Sequence, residues 1–96
     1  MLIRWSPAAV DDLEQIFNYI QSDDPAAAQR TIQAIYESAE ALGRHPHLGR
    51  LGRVRGTREL IVPALPFLVV YRVVPHVDAI EIANIIHGAQ RWPPSR

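Results

Sequence analysis

Cysteine is absent from the 96 residues. That excludes a disulfide framework, a thiolate metal site and a cysteine nucleophile. Lysine is absent too, so all ten positive side chains are Arg. Long apolar runs are also missing. The two densest stretches, residues 61–71 and 80–86, are interrupted by Pro or polar side chains and fall short of a bilayer span. No membrane-spanning helix is expected, and no secretory leader, because residues 1–5 pass straight into a polar pattern holding Asp11, Asp12 and Glu14. What remains is 48% hydrophobic and 21% charged. This is the balance of a single globular domain over residues 1–96, with a cytoplasmic location expected.

Charge is unevenly placed along the chain. Residues 1–43 hold Arg4 and Arg30 against seven acids, a balance of −5, whereas residues 44–96 hold eight Arg against Glu59, Asp78 and Glu81, a balance of +5. The stretch from residue 44 to 58 contains Arg44, Arg50, Arg53, Arg55 and Arg58 and no acid. Either the acidic half lies against the basic half, or the basic half meets phosphate, carboxylate or an acidic partner. Guanidinium suits the second reading, since it pairs such groups in a planar, two-pronged way.

The hydrophobic pattern predicts β-α-α-β-β-β. Residues 2–5 read as a first strand. Ser6-Pro7 then opens a helix, with Ser6 as cap and Pro7 at the first helical position. Val10, Leu13, Phe17 and Ile20, with Ile16 beside them, form its apolar face. Asp24-Pro25 repeats the start signal. The second helix carries Ala28, Ile32, Ile35, Ala39 and Leu42 and ends at Gly43, read as a left-handed cap. Residues 45–56 are rich in Gly and Arg and are expected to form an exposed loop. Strands are predicted at residues 57–62, 67–74 and 79–87, joined by short links at residues 63–66 and 75–78. Asn84 breaks the alternation of the last strand, leaving its inward face open at that end. The expected fold is α+β: a two-helix hairpin on one face of a largely antiparallel four-stranded sheet, the other face polar or covered. The expected core is Ile3, Leu13, Phe17, Ile20, Ile32, Ile35, Leu42, Leu60, Val62, Val70 and Ile82.

Several pieces of the chain, taken in order, resemble the ParE/RelE toxins of bacterial type II toxin–antitoxin systems from end to end. They are Trp5-Ser6-Pro7-Ala8, Asp12-Leu13, His45-Pro46 with Gly49-Arg50, and Gly56-Thr57-Arg58-Glu59-Leu60. They continue with residues 66–73 and with Ile85-Ile86-His87-Gly88-Ala89-Gln90-Arg91-Trp92-Pro93. The resemblance implies a toxin of a plasmid-stabilisation type, with a cognate antitoxin as partner and a homodimer or toxin–antitoxin hetero-oligomer as its assembly. ParE-like members inhibit DNA gyrase; RelE-like members cleave mRNA on the ribosome. This chain looks closer to ParE. Leu68 stands just before Val69-Val70-Tyr71 where the nucleases usually carry a basic residue, and no Tyr follows Tyr71.

Metal-free RNA cleavage needs a base, an acid and cations around the phosphate. Arg58, Tyr71, Arg72, His87 and Arg91 are the right residue types for that alternative. Strand alternation sends Tyr71 and Arg72 to opposite faces, which favours Tyr71 as a core residue and no catalytic set. His45 and His47 lack nearby acids or Cys, so neither a metal nor another cofactor is expected. Contact with the antitoxin or target is assigned to Arg50, Arg53, Arg55 and Arg58 in the loop and to His87, Arg91 and Trp92 near the C-terminal end. Trp92 is either an exposed anchor or a cover folded over the sheet. The antitoxin is expected to be an extended or helical segment, rich in Asp or Glu with apolar anchors, that meets this Arg-rich region.

Overall fold

The computed structural model describes residues 1–93. Strand β1 (Leu2–Trp5) leads into helices α1 (Pro7–Gln21) and α2 (Pro25–Ala41). Strands β2 (Arg50–Leu51), β3 (Arg58–Ile61), β4 (Phe67–Val74) and β5 (Ala79–His87) follow. Both helices begin as their sequences dictate. The Ser6 hydroxyl accepts the Ala9 N–H at 3.1 Å and the Asp24 carboxylate accepts the Ala27 N–H at 3.1 Å, each followed by Pro at the first helical position. α2 ends differently from expectation. Leu42 caps it in a right-handed conformation, and Gly43 is not left-handed. A Cβ on Gly43 would come within 2.8 Å of the Met1 carbonyl, so this glycine gives β1 room to approach the helix end.

The sheet has five strands in the order β1-β5-β4-β3-β2, not four. The additional strand is the two-residue β2, drawn from the stretch expected to be pure loop, where Arg50 pairs with Glu59 and Leu51 with Arg58. Two residues carry no alternation to read, so only pairing with β3 defines them. β1 runs parallel to β5, and the other neighbours are antiparallel.

Register slips once. Val70 pairs with Asn84 but Tyr71 pairs with Ile82, which leaves Ala83 as an extra residue in β5. This bulge resolves the broken alternation around Asn84, because it reverses the phase of the strand. Ile80 and Ile82 face the helices before it; after it Ile85 does so, and Ile86 turns to the other side. The bulge frees the Ile85 N–H from the ladder, and Asp12 of α1 supplies its acceptor. Its Oδ2 takes the Ile85 N–H at 2.9 Å and the Asn84 side-chain amide at 3.1 Å. Ser6 adds two more ties, its N–H to the Ile82 carbonyl at 3.0 Å and its hydroxyl to the Ala83 carbonyl at 2.8 Å.

The main core lies between helices and sheet and includes Ala9, Ile35, Ala39, Leu42, Val62, Val69, Tyr71, Ile80, Ile82 and Ile85. Of the expected core residues, Ile3, Leu13 and Leu60 are half-buried against it. Val70 is buried on the other face of the sheet with Leu68 and Ile86, where Trp92 and Ala83 cover it. Phe17, Ile20 and Ile32 are only half-buried. The small Ala9 draws α1 onto the sheet along its Ala9-Leu13-Ile16 edge, which turns Phe17 outward and leaves Val10 41% exposed.

Ile35→Ala is therefore expected to cost about 2–5 kcal/mol, and Phe17→Ala clearly less, in chemical denaturation. Asp12→Ala strands two donors at the bulge and is expected to cost about 1–3 kcal/mol. Equal losses for Ile35 and Phe17, or none for Asp12, would contradict this packing.

Candidate functional site

The Arg-rich segment after α2 is held by two side chains beneath it. Tyr71 of β4 is buried. Its hydroxyl accepts the Gly49 N–H at 2.9 Å and donates to the Pro46 carbonyl at 2.8 Å. Arg58, opposite Tyr71 in β3, donates to the Gly49 carbonyl at 2.7 Å. Gly49 has to be glycine for steric reasons, since a Cβ would lie 2.8 Å from the Tyr71 ring and 2.9 Å from the Glu59 carbonyl. Burial pushes the Tyr71 phenol above its ordinary pKa of 10.0, more than the Gly49 N–H and the Arg58 charge pull it down.

Glu59 is the second anchor. It is 2% exposed and faces the side of the sheet away from the helices. Its carboxylate accepts the Arg53 backbone N–H at 2.9 Å, the Arg50 guanidinium at 3.2 Å and the Arg53 Nε at 3.4 Å. Burial alone would raise this carboxyl. The Arg53 N–H, the Arg50 hydrogen bond and the two positive charges outweigh it and hold the pKa below 4.5. The acid-free stretch is thus followed, one residue on, by an acid that pairs with two of its five arginines. Alternating strand contacts gave no hint of it; the signal was a lone acid following an Arg run.

The loop meets the C-terminal end through Arg53, which reaches the Gln90 carbonyl at 3.4 Å. Trp92 folds over Leu68, Val70 and Ile86, so it is a cover in this structure. Pro94 lies outside the described residues. Arg55 is exposed beside Gly56, whose φ of 83° makes the turn into β3. Arg91 is exposed on the same terminal segment.

Of the residues of a nuclease constellation, Arg58 and Tyr71 meet at Gly49, but Arg72 and His87 do not join them. Tyr71 is sealed under the loop with both hydrogen-bonding roles of its hydroxyl in use. Arg72 points to the opposite face, exposed and 3.7 Å from Glu81. His87 sits at the far end of the β4–β5 ladder, paired with Phe67 in register and in an edge-on ring contact at 5.7 Å. Its Nδ1 accepts the Ala89 N–H at 3.0 Å, so Nε2 carries the proton of the neutral ring. It borders an apolar hollow of about 590 Å³ with Ile16, Tyr19, Ile20, Leu65 and Phe67, which no Arg lines. His45 and His47 are exposed, and among the described residues no three His, Asp or Glu stand close enough to hold a metal ion. No described helix is long and apolar enough to cross a membrane.

Residues 3–92 match the family model described as the ParE toxin of the type II toxin–antitoxin system parDE. The toxin-class protein Y4kP of Sinorhizobium fredii is 40% identical over 91 residues, covering 95% of this chain and 92% of that protein. Toxin RelE3 of Caulobacter vibrioides is 36% identical over 91 residues, covering 93% and 96%. A chain in the solved chromosomal ParDE system from P. aeruginosa superposes with a TM-score of 0.80 at 28% identity, over 91% of this chain and 95% of that one.

Two measurements test the anchors. Tyr71→Phe leaves the Gly49 N–H and the Pro46 carbonyl without their partner, with an expected loss of about 1–3 kcal/mol. For Glu59 the folded pKa is lowered, so its stabilisation is complete above 4.5 and is lost as pH falls through the lower folded value. Glu59→Gln should flatten that acid limb in pH-dependent melts. An unchanged limb would show that Glu59 does not govern it.

Proposed function

The chain belongs to the ParE toxin family of type II toxin–antitoxin systems, and from that premise we propose that it arrests growth by binding and inhibiting DNA gyrase. A cognate antitoxin neutralises it in the cytoplasm, as part of a plasmid-stabilisation module. The observation that carries the binding mode is the Tyr71 hydroxyl, buried and committed to Pro46 and Gly49. General acid–base cleavage of RNA needs groups within reach of one phosphate. Here Tyr71, Arg72 and His87 are divided between the underside of the loop, the opposite sheet face and the far end of the ladder. A binding toxin has no such requirement.

Target contact falls to Arg55 in the loop and to Arg91 in the terminal segment, two stretches that Arg53 links through the Gln90 carbonyl. Arg50, Arg53 and Arg58 act mainly by holding that loop in shape, through Glu59 and Gly49. A segment ordered before contact loses less entropy on binding. Trp92 keeps the terminal segment on the sheet through its contact with the second core.

The purified chain is expected to block gyrase supercoiling and to leave ribosome-bound mRNA intact. Cleavage without supercoiling inhibition would establish the nuclease alternative, and neither activity would mark an antitoxin-binding remnant. Arg91→Ala should preserve the melt and antitoxin binding while weakening growth arrest. Trp92→Ala should lower stability by about 1–3 kcal/mol, less than for a fully buried Trp. A fully toxic, normally folded Arg91→Ala, Trp92→Ala double variant would remove this segment from target recognition.

A further inference from the structure

The sheet face turned away from the helices carries arginines set around two acids. Register and alternation place Arg4 of β1, Glu81 of β5 and Arg72 of β4 side by side in one row across it, while Ile3, Trp5 and Tyr71 point to the helices. Arg72 lies 3.7 Å from Glu81, and both side chains are a little under half exposed. Nearer Val70 on the same face, Glu59 lies between Arg50 and Arg53, whose side chains remain 56% and 35% exposed. Glu59 and Glu81 are the acids that the strands contain. Four arginines thus stand against two acids, and a guanidinium has five donors, so a carboxylate partner leaves others for a second anion. Residue order had grouped Arg50 and Arg53 with the loop and left Arg4 and Arg72 outside it.

The rest of the molecule orients an anion towards this face. All seven acids of residues 1–43 lie on α1, on α2 or in the link between them, in the other layer. The arginines run from β1 at one edge of the sheet to β2 at the other, four strand spacings or about 19 Å. Over that length a DNA duplex presents about eleven phosphate charges, and an extended acidic peptide at most about six. Single strands are held by aromatic platforms that stack on bases. Trp92 is the one aromatic on this face among the described residues, and it packs on Leu68, Val70 and Ile86.

We propose that this face holds the phosphate backbone of duplex DNA through Arg4, Arg72, Arg50 and Arg53, without reading its sequence. The inference rests on the reading of the chain as a gyrase inhibitor and deepens it: the toxin meets gyrase together with the DNA on which that enzyme acts. Glu59 and Glu81 hold the guanidinium groups in place before contact, so less entropy is lost when phosphates arrive. At the half-exposed Arg72 the loose contact with Glu81 yields to a phosphate at little cost. Guanidinium donors on strands reach phosphates rather than base edges, since no element of this face enters a groove.

The test uses the full chain and two labelled DNA duplexes of about 20 base pairs with unrelated sequences. Fluorescence anisotropy should show equal binding of both, with affinity falling as salt rises and a log–log slope of about −3 to −4 for four phosphate contacts. Arg4→Gln with Arg72→Gln, both at exposed positions, should weaken binding roughly tenfold at about 50 mM salt, lower the slope by about 2 and leave the melt unchanged. Glu81→Gln should tighten binding, and it carries the test if the double variant melts early. Arg30→Gln, exposed on α2, removes the same charge from the other layer and should change little. No binding of the duplex at about 50 mM salt, or an affinity indifferent to the double substitution in a folded chain, would overturn the proposal. So would tighter binding of a single-stranded RNA of the same length or of a peptide rich in Asp and Glu. Supercoiling assays test the gyrase reading separately. A chain that blocks supercoiling but ignores the bare duplex fails only on this face, and one that binds the duplex but spares supercoiling fails only on its target.

Discussion

The bulge at Ala83, closed by Asp12, is the constraint on which the remaining structure depends. A strand that kept strict alternation through residues 79–87 would send Ile85 away from the helices and Ile86 into them. One extra residue reverses the phase, so that Ile80, Ile82 and Ile85 all reach the main core while Ile86 joins Leu68 and Val70 beyond the sheet. The cost is the Ile85 N–H without a ladder partner, with the Asn84 side-chain amide beside it. Asp12 meets both, and in doing so it fixes where α1 crosses β5. Ser6 ties the start of the same helix to Ile82 and Ala83. Helix position, strand phase and the two-sided core are thus one solution.

That register also sets Tyr71. It stands at the slip, opposite Arg58 and Ile82, facing the helices with its hydroxyl at the sheet margin. From there it can reach Pro46 and Gly49 and hold down a segment with no apolar periodicity of its own. Glu59 holds the next part of the segment from the opposite face. A loop secured from both faces of a sheet can present Arg55 without a core beneath it. The same arrangement commits both hydrogen-bonding roles of the Tyr71 hydroxyl to the loop.

Polarity in the sequence becomes polarity in space. The helix hairpin carries the acidic residues and leaves an apolar seam outward; the loop and the terminal segment carry the arginines at the sheet margin. A protein with two such poles presents two chemically different surfaces.

Much of this was legible from residue order. Ser6-Pro7 and Asp24-Pro25 mark both helix starts, because a cap and a fixed φ act within one turn of chain. The bounds of β4 and β5 and the tight links between strands follow from Pro and from β-branched runs, which are equally local. The family resemblance rested on ordered short motifs and needed no geometry. Other features were set only by tertiary structure. β2 exists because β3 offers it an edge. Phe17 lies on the apolar stripe of α1, yet Ala9 decides which side of that stripe meets the sheet. Gly43 reads as a left-handed cap but serves the approach of β1. Glu59 lies one residue past an acid-free Arg run, and its capture of Arg50 and Arg53 depends on a strand pairing. Local rules act through backbone dihedrals a few residues apart; burial, pairing and charge compensation act across distances that only the folded chain closes.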